Sequence, residues 1–359
     1  MDIDLEECLE TAISLARETG QIVKEGFYLD KTMTTKGEPA DLVTEFDTRV
    51  QQILFDRLGE KFPTHKLIGE ESVTEPVLTD APTWIIDPID GTTNFIHGFP
   101  LTCISIGLTV NREPVLGVVY NPILEHMFTA KKGQGAFLNS RRIHVSEVTG
   151  RKRALLNYRR IHVSEVTGRK RAFLNYRRIH VSEVTGRKRA FLNYRRIHVS
   201  EVTGRKRALL HSRRIHVSGV TGRERAFLHS RRIHVSDVTD MSKALVGLEV
   251  PTTQRPSTFA MRVKRGRAIE QVAREIRGLG SIAIGLCFVA MGGLDVYQYE
   301  GGIHCWDVAA ASVILLEAGG VITDPRGGPF DLMSRRVLGA GTEKLALQMV
   351  KIIQEADSS

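Results

Sequence analysis

An 18-residue unit repeated in tandem through the middle of the chain sets the first limit on its fold. Starting at Ala136, the unit Ala-Phe-Leu-Asn-Ser-Arg-Arg-Ile-His-Val-Ser-Glu-Val-Thr-Gly-Arg-Lys-Arg recurs from 154, 172, 190 and 208, with a partial copy over 226–240. Copies this alike point to recent tandem duplication, and they must be set apart before composition says anything about the rest. Five extra lengths of 18 account for 90 of the 359 residues and leave a host of 269. The expected division is an α+β half over 1–153, a basic insertion over 154–243 and an α/β half over 244–359. Within a copy, Ala-Phe-Leu, then Asn-Ser-Arg-Arg, then Ile-His-Val-Ser reads as strand, turn, strand, with Ile and Val alternating on one face. An isolated hairpin is marginal in water. Two forms therefore stay open for the insertion, a meander of β-hairpin-like units or a mobile basic excursion whose low burial does not offset ordering entropy.

The copies also dominate the charge. The whole chain carries +9 with a pI near 9.5, but residues 141–240 alone carry +19, which leaves −10 on the host. The basic pI thus reports an insertion on an acidic body, not a nucleic-acid-binding enzyme. The Arg-Lys-Arg clusters raise the alternative of binding to nucleic acid or an anionic membrane by counterion release. Only scattered Phe and Tyr accompany them, without a stacking platform, so an idle solvated insertion is the favoured reading and nucleic-acid binding by the repeats is not expected. Eight of the twelve His lie in the copies. With no Cys among them, copying explains their period and no zinc signature is read.

The host carries its chemistry in a few acidic boxes. In Trp84-Ile85-Ile86-Asp87-Pro88-Ile89-Asp90-Gly91-Thr92-Thr93-Asn94-Phe95, a β-branched run ends on Asp87, and Pro88 is expected to stop the strand. Asp87 and Asp90 can then turn toward one point, offering the hard anionic oxygens that Mg²⁺ prefers, with the Ile89 carbonyl as a neutral third. Gly91 and Thr92 let backbone N–H groups approach an anion, so phosphate is expected there. Taken alone, Asp-x-x-Asp-Gly is no more than a turn. Two further sites change that: Gly69-Glu70-Glu71-Ser72 after the apolar Leu67-Ile68, and Trp306-Asp307 before a long apolar run. Asp307 falls at a helix start, where capping is its plain role.

Together these segments resemble the inositol monophosphatase family. The resemblance rests on Lys36 with Ala40-Asp41-Leu42-Val43-Thr44-Glu45-Phe46-Asp47, the boxes at 69–72 and 84–95, Gly302-Ile303-His304-Cys305-Trp306-Asp307, and Gly327-Gly328-Pro329-Phe330-Asp331-Leu332-Met333-Ser334-Arg335-Arg336. It covers roughly 4–150 and 240–356, and a 269-residue host is the usual family size. It implies a layered α-β-α-β-α sandwich of the α+β class, hydrolysis of inositol monophosphates, and two or three Mg²⁺ ions on Glu70, Asp87, the Ile89 carbonyl, Asp90 and Asp307. It also implies that Thr92 and Asp47 orient the attacking water; a solvated helix carboxylate is the plain alternative for Asp47. Lys36 and Glu71 are further candidates. Glu300 matches an acceptor for substrate hydroxyls, and Gly280, Ser281 and Ile282 match a loop against the inositol ring, where Ile282 is bulkier than the usual Ala. A sugar-phosphate or nucleotide-phosphate phosphatase shares the metal chemistry and stays open. Lithium inhibition and a homodimer follow from the same resemblance.

No Ser-His-Asp or Cys nucleophile motif is evident, so direct attack by water is the economical mechanism. His97 and His304 are read as structural, because this oxygen set suits Mg²⁺ rather than an imidazole-seeking ion. No 18-residue apolar stretch occurs, and the acidic Met1-Asp-Ile-Asp-Leu-Glu-Glu is unlike a signal or transit peptide. A cytoplasmic location without membrane insertion is expected, and Cys8, Cys103, Cys287 and Cys305 lack disulfide or metal spacing. Helices are expected near 4–27, 42–61, 262–277, from 307 and over 342–355.

Overall fold

The computed structural model describes the chain except residues 1–2, 30–32, 36–41, 73–74, 140–141, 144–156, 159–160, 167–172, 177–178, 185–188, 195–196, 204–206, 213–214, 218–219, 222–226, 229–234, 250–255 and 359. It falls into two compact units, one formed by Met1–Ser146 with Arg231–Ser359, the other by Glu147–Ser230.

The first unit opens with α1 (Leu5–Gly26), whose first N–H groups are taken by the Asp4 carboxylate, at 2.9 Å to Glu6 and 3.0 Å to Glu7. A short antiparallel pair follows, β1 (Met33–Thr35) with β2 (Leu42–Thr44), and then α2 (Glu45–Lys61). The helix expected from 42 starts at 45, because Leu42–Thr44 pairs with Met33–Thr35 and Thr44 caps the helix. Next come β3 (Lys66–Gly69), β4 (Thr83–Asp90), α3 (Thr92–Ile96), β5 (Cys103–Val110), β6 (Glu113–Asn121), β7 (His126–Lys131), β8 (Ala136–Leu138) and β9 (Arg142–Ile143). The seven strands form one sheet in chain order, parallel between β3 and β4 and antiparallel after that.

The second unit overturns the hairpin expectation. Its strands are β10 (Asn157–Tyr158), β11 (Ile161–Val166), β12 (Phe173–Tyr176), β13 (Ile179–Val184), β14 (Arg189–Tyr194), β15 (Ile197–Thr203), β16 (Arg207–Ser212), β17 (Ile215–Val217), β18 (Val220–Thr221) and β19 (Phe227–Leu228). They make two sheets, β10-β12-β14-β16-β19 and β11-β13-β15-β17 with β18 also on β15, and every pairing is parallel. Partners stand 18 residues apart, Ile161 opposite Ile179 and Phe173 opposite Phe191. The copies from 154, 172 and 190 thus each give one strand to each sheet, the copy from 208 gives β16 to one and β17 with β18 to the other, and the last gives β19 alone; in a solenoid likewise, a unit that buries little alone gains order by stacking on its neighbour. The first copy behaves differently: Ala136 pairs antiparallel with Ile143, and Asn139 takes the left-handed turn conformation at φ 53°. The end of the last copy also belongs to the first unit, with Val235 and Val238 packed into its cores.

The first unit resumes with β20 (Leu245–Leu248), α4 (Pro256–Glu270), β21 (Glu275–Arg277), α5 (Ile282–Ala290), β22 (Val296–Glu300), α6 (Cys305–Glu317), β23 (Val321–Thr323), β24 (Arg336–Ala340) and α7 (Glu343–Ser358). The helix expected over 262–277 ends at Glu270, since 275–277 pairs in parallel with β20. A second sheet runs in the order β21-β20-β22-β24-β23.

Both sheets are buried on two faces, which explains their unbroken apolar runs. Trp84 and Ile86 of β4 pack in one cluster with Leu15 and Val23 of α1 and Leu54 and Leu58 of α2; Ile85 between them joins Leu286 of α5 and Ile314 of α6. Likewise Tyr297 and Val337 face the α5 and α6 side, whereas Val296 and Leu338 face Met349 and Ile353 of α7. The result is the expected five-layer α-β-α-β-α stack. Helix α6 closes on the first sheet at glycines: a Cβ on Gly117 would stand 2.1 Å from the Ala310 carbonyl oxygen.

Candidate active site

Strand β4 is buried along all eight residues and does not stop at Pro88. Asp87 lies opposite Ser105 and Asp90 opposite Cys103, three steps on β4 against two on β5, so a bulge spans the proline. Proline has no N–H to lose from the ladder there. The bulge also solves a directional problem. Residues three apart on a regular strand point to opposite faces, and the extra residue turns both carboxylates to one side. The Ile89 N–H then bonds Asp87 Oδ1 at 2.9 Å, tightening the bend.

Asp307 reaches the same place from α6. His304 is the N-cap, so Asp307 sits at the third helical position and accepts the His304 N–H at 2.5 Å, a reciprocal cap rather than the N-cap role expected. Carboxylate oxygens of Asp87, Asp90 and Asp307 all lie within 4.8 Å of one another and could hold a metal ion. Glu70 follows β3, its N–H on the Ile86 carbonyl at 3.2 Å, and its carboxyl hydrogen-bonds Asp87. Glu71 is set by its own N–H on Gln51 Oε1 at 2.9 Å. Lys36 lies outside the described residues.

The loop before α5 grips Asp90. Ser281 Oγ and the Ala283 N–H donate to Asp90 Oδ2 at 2.6 and 2.7 Å, and the Ile282 N–H to Oδ1 at 3.3 Å. These bonds favour the anion, yet burial outweighs them and pushes the Asp90 carboxyl up to about 6. Burial, then the charges of Glu70, Asp90 and Asp307, drives Asp87 well above the usual carboxylate range. Asp307 rises for burial first, then for Asp90 and Glu70. Among the described residues no Lys or Arg hydrogen-bonds these three aspartates. Such a group of mutually repelling carboxylate oxygens, two of the three residues buried, is the donor set of a hard divalent cation.

Thr92 opens α3 beside this centre, with Gly91 before it in the left-handed region at φ 85°. Its Oγ1 stands 3.1 Å from the Ile89 carbonyl and 3.4 Å from Asp47 Oδ1. Asp47 is fully buried, and its other oxygen accepts the Thr44 N–H at 2.9 Å and the Thr44 hydroxyl at 2.5 Å. The solvated alternative for Asp47 is therefore excluded.

Glu300 does not join the aspartates. One oxygen takes Arg326, with Nε at 2.8 Å, and the other takes Arg265, itself buried and paired with Asp357. A carboxylate this buried needs cations, and both oxygens expected to meet substrate hydroxyls are engaged. Two further residues escaped the sequence. Glu249 accepts the Leu279 and Gly280 N–H groups at 2.9 and 3.0 Å, and Asn94 Nδ2 donates to Leu101 and Leu279 carbonyls at 2.7 Å each. Both pin the loop whose next residues hold Asp90. Nothing marked Glu249 beforehand except its place at the end of an apolar strand.

The inositol monophosphatase family model matches residues 4–201 and 213–358. Human inositol monophosphatase 1 is 34% identical over 353 residues, covering 97% of this chain and 95% of its own length; mouse inositol monophosphatase 2 is 33% identical, with 97% and 90% covered. Among solved structures, the IMPase of Thermotoga maritima superposes with TM-score 0.66 at 23% identity, covering 98% of each chain, and the extragenic suppressor protein suhB of Bartonella henselae gives 0.66 at 21%, covering 97% and 99%. The chain belongs to the inositol monophosphatase family, a family of phosphatases.

Proposed function

We propose that the protein hydrolyses inositol monophosphates to inositol and phosphate by attack of water, as a Mg²⁺-dependent phosphomonoesterase. The observation that carries this reading is the convergence of buried Asp87 and Asp90 with half-buried Asp307 beside the Thr92–Asp47 pair. Mg²⁺ held by Glu70, Asp87, the Ile89 carbonyl, Asp90 and Asp307 would neutralise phosphate charge and acidify water there. The chain's own residues do the rest. Thr92 Oγ1, fixed between Asp47 and Ile89, orients the attacking water, and Asp47 draws its proton through the threonine hydroxyl. The N–H groups of Gly91 and Thr92 take phosphate oxygens. Covalent catalysis by cysteine is disfavoured, because burial pushes the Cys305 thiol up to about 12 and Cys103 well above its usual range. Lithium sensitivity, a homodimer and a cytoplasmic location belong to the same reading; four free buried cysteines fit a reducing compartment, and no described helix is long and apolar enough to cross a membrane.

A second reading has one observation in its favour. With Glu300 engaged by Arg265 and Arg326, and Ile282 at the loop, polyol recognition is weakened relative to a sugar-phosphate or nucleotide-phosphate substrate. A phosphate-release screen over inositol phosphates, sugar phosphates and adenosine bisphosphates, with and without Mg²⁺, separates them. Fastest Mg²⁺-dependent release from an inositol monophosphate is expected; equal rates without a divalent ion overturn the mechanism.

A further inference from the structure

The resemblance sets Ser281 against the inositol ring, whereas the structure turns its hydroxyl to Asp90. Ser281 is buried at the N-cap of α5, where Oγ accepts the Ile284 N–H at 3.3 Å and donates to Asp90 Oδ2 at 2.6 Å. The Ala283 N–H reaches the same oxygen at 2.7 Å, and the Cys103 thiol stands 3.8 Å from it. A carboxylate oxygen has two lone pairs, so Oδ2 is fully engaged by protein. Among the described residues Oδ1 accepts one long bond, from the Ile282 N–H at 3.3 Å, which leaves it a lone pair. Asp87 and Asp307 are each tied at one oxygen by a backbone donor, the N–H of Ile89 and of His304. Of the three, Asp90 alone is tied by a side-chain hydroxyl among the described residues.

We propose that Ser281 is a positioning residue for the metal centre: by tying Asp90 Oδ2 it presents Oδ1 as a single ligand oxygen, a role that rests on the divalent-ion reading above. The carboxylate torsion is broad and two-fold, so an untied Asp90 can offer either oxygen or turn away from its neighbours. Without an ion, the like charges of Asp87 and Asp307 favour turning away. The Ser281 bond opposes that rotation from a fixed base. Glu249 accepts the Leu279 and Gly280 N–H groups and, at 3.2 Å, the Tyr297 hydroxyl, which anchors the loop to β22. Gly280 stands at φ 68°, and a Cβ there would lie 2.8 Å from Asn94 Oδ1. A ligand set held ready binds more tightly because less is left to order on binding.

The test titrates Mg²⁺ into the full chain by calorimetry without substrate, and follows phosphate release against Mg²⁺ concentration. Ser281→Ala removes both the hydroxyl donor and the helix cap, Ser281→Gly removes the donor at little cost to the cap, and Ser281→Thr keeps both. The Ala and Gly variants are each expected to bind Mg²⁺ ~10–100-fold more weakly, the usual effect of losing a partner that orients a ligand, and Thr to bind like the parent. At saturating Mg²⁺ all three are expected to release phosphate near the parent rate. Parent affinity in the folded Ala and Gly variants overturns the proposal and leaves Ser281 a helix cap. Weaker binding by Ala beside parent binding by Gly traces the loss to the cap and overturns it too, as does a rate that stays low at saturating Mg²⁺, which makes Ser281 a contact of the reaction itself. No Mg²⁺ uptake by the folded parent overturns the divalent-ion reading, and the proposal with it.

Discussion

The aspartate centre and the repeat unit reach order by opposite routes. Asp90 and Asp307 come from either side of the whole insertion, and no other described residue joins the cluster in place of either one. In the repeat unit every strand lies beside a copy of itself, so Ile179 could be replaced by Ile161 or Ile197 without changing the ladder. The centre depends on individuals and the unit on number. The copies sharpen the point. Ala136–Leu138 has β7 beside it and folds back on Arg142–Ile143, whereas the same residues deeper in the array pair in parallel with the next copy. Pairing direction is set by what stands alongside, not by the copy.

If the centre depends on individuals, the largest effect belongs to its carboxylates. Asp307→Asn and Asp90→Asn are each expected to reduce phosphate release more than the ~100-fold that loss of an outer partner brings, with the circular dichroism spectrum retained. Near-parent turnover in either variant breaks the comparison at its stronger end. Thr92→Ala comes next. Its expected loss is ~100-fold, the lower range for a positioned proton transfer, with divalent-ion affinity unchanged by calorimetry. Unchanged turnover removes the Thr92–Asp47 pair from the mechanism.

The individuals were legible in the sequence because their chemistry is dense: Asp87, Ile89, Asp90, Gly91 and Thr92 fall within six residues, and the five-layer order was implied by the family resemblance that these boxes carry. What stayed hidden is geometry that one sequence position does not carry. Pro88 looked like a strand end, and only pairing with β5 makes it part of a bulge. Glu300 is read as a substrate contact, and the sequence does not show that Arg265 and Arg326 reach it from elsewhere in the chain. The repeats were visible as repeats, yet hairpin and solenoid use the same strand and turn residues, and only register separates them.

A third test probes what holds the individuals apart without a metal. Asp90 is raised from an ordinary 3.8 to about 6, and Asp87 and Asp307 are raised as well. A carboxyl whose folded pKa exceeds its unfolded one stabilises the fold fully below the unfolded value and loses that contribution as pH rises through the folded value. The metal-free protein is therefore expected to lose stability from about pH 4 through 6, by about 3 kcal/mol from Asp90 alone, and to go on losing it above 6 through the other two. Thermal melts in chelator against Mg²⁺ across this range check the sign. A melting temperature that rises with pH in chelator, or the same slope with Mg²⁺, contradicts the electrostatic account of the centre.

The smallest effect on turnover is expected from the largest change in sequence. Removing residues 144–233 joins Ile143 to His234, keeps β9 from the first copy and Val235 and Val238 from the last, and takes the net charge from +9 to −10. Loop-closure cost changes slowly with length, and none of Glu70, Asp87, Asp90, Thr92 or Asp307 is touched. Phosphate release per folded chain is expected to match the parent. Should turnover fall with the fold intact, the array would be supporting the centre, and the two routes to order would no longer be independent of one another.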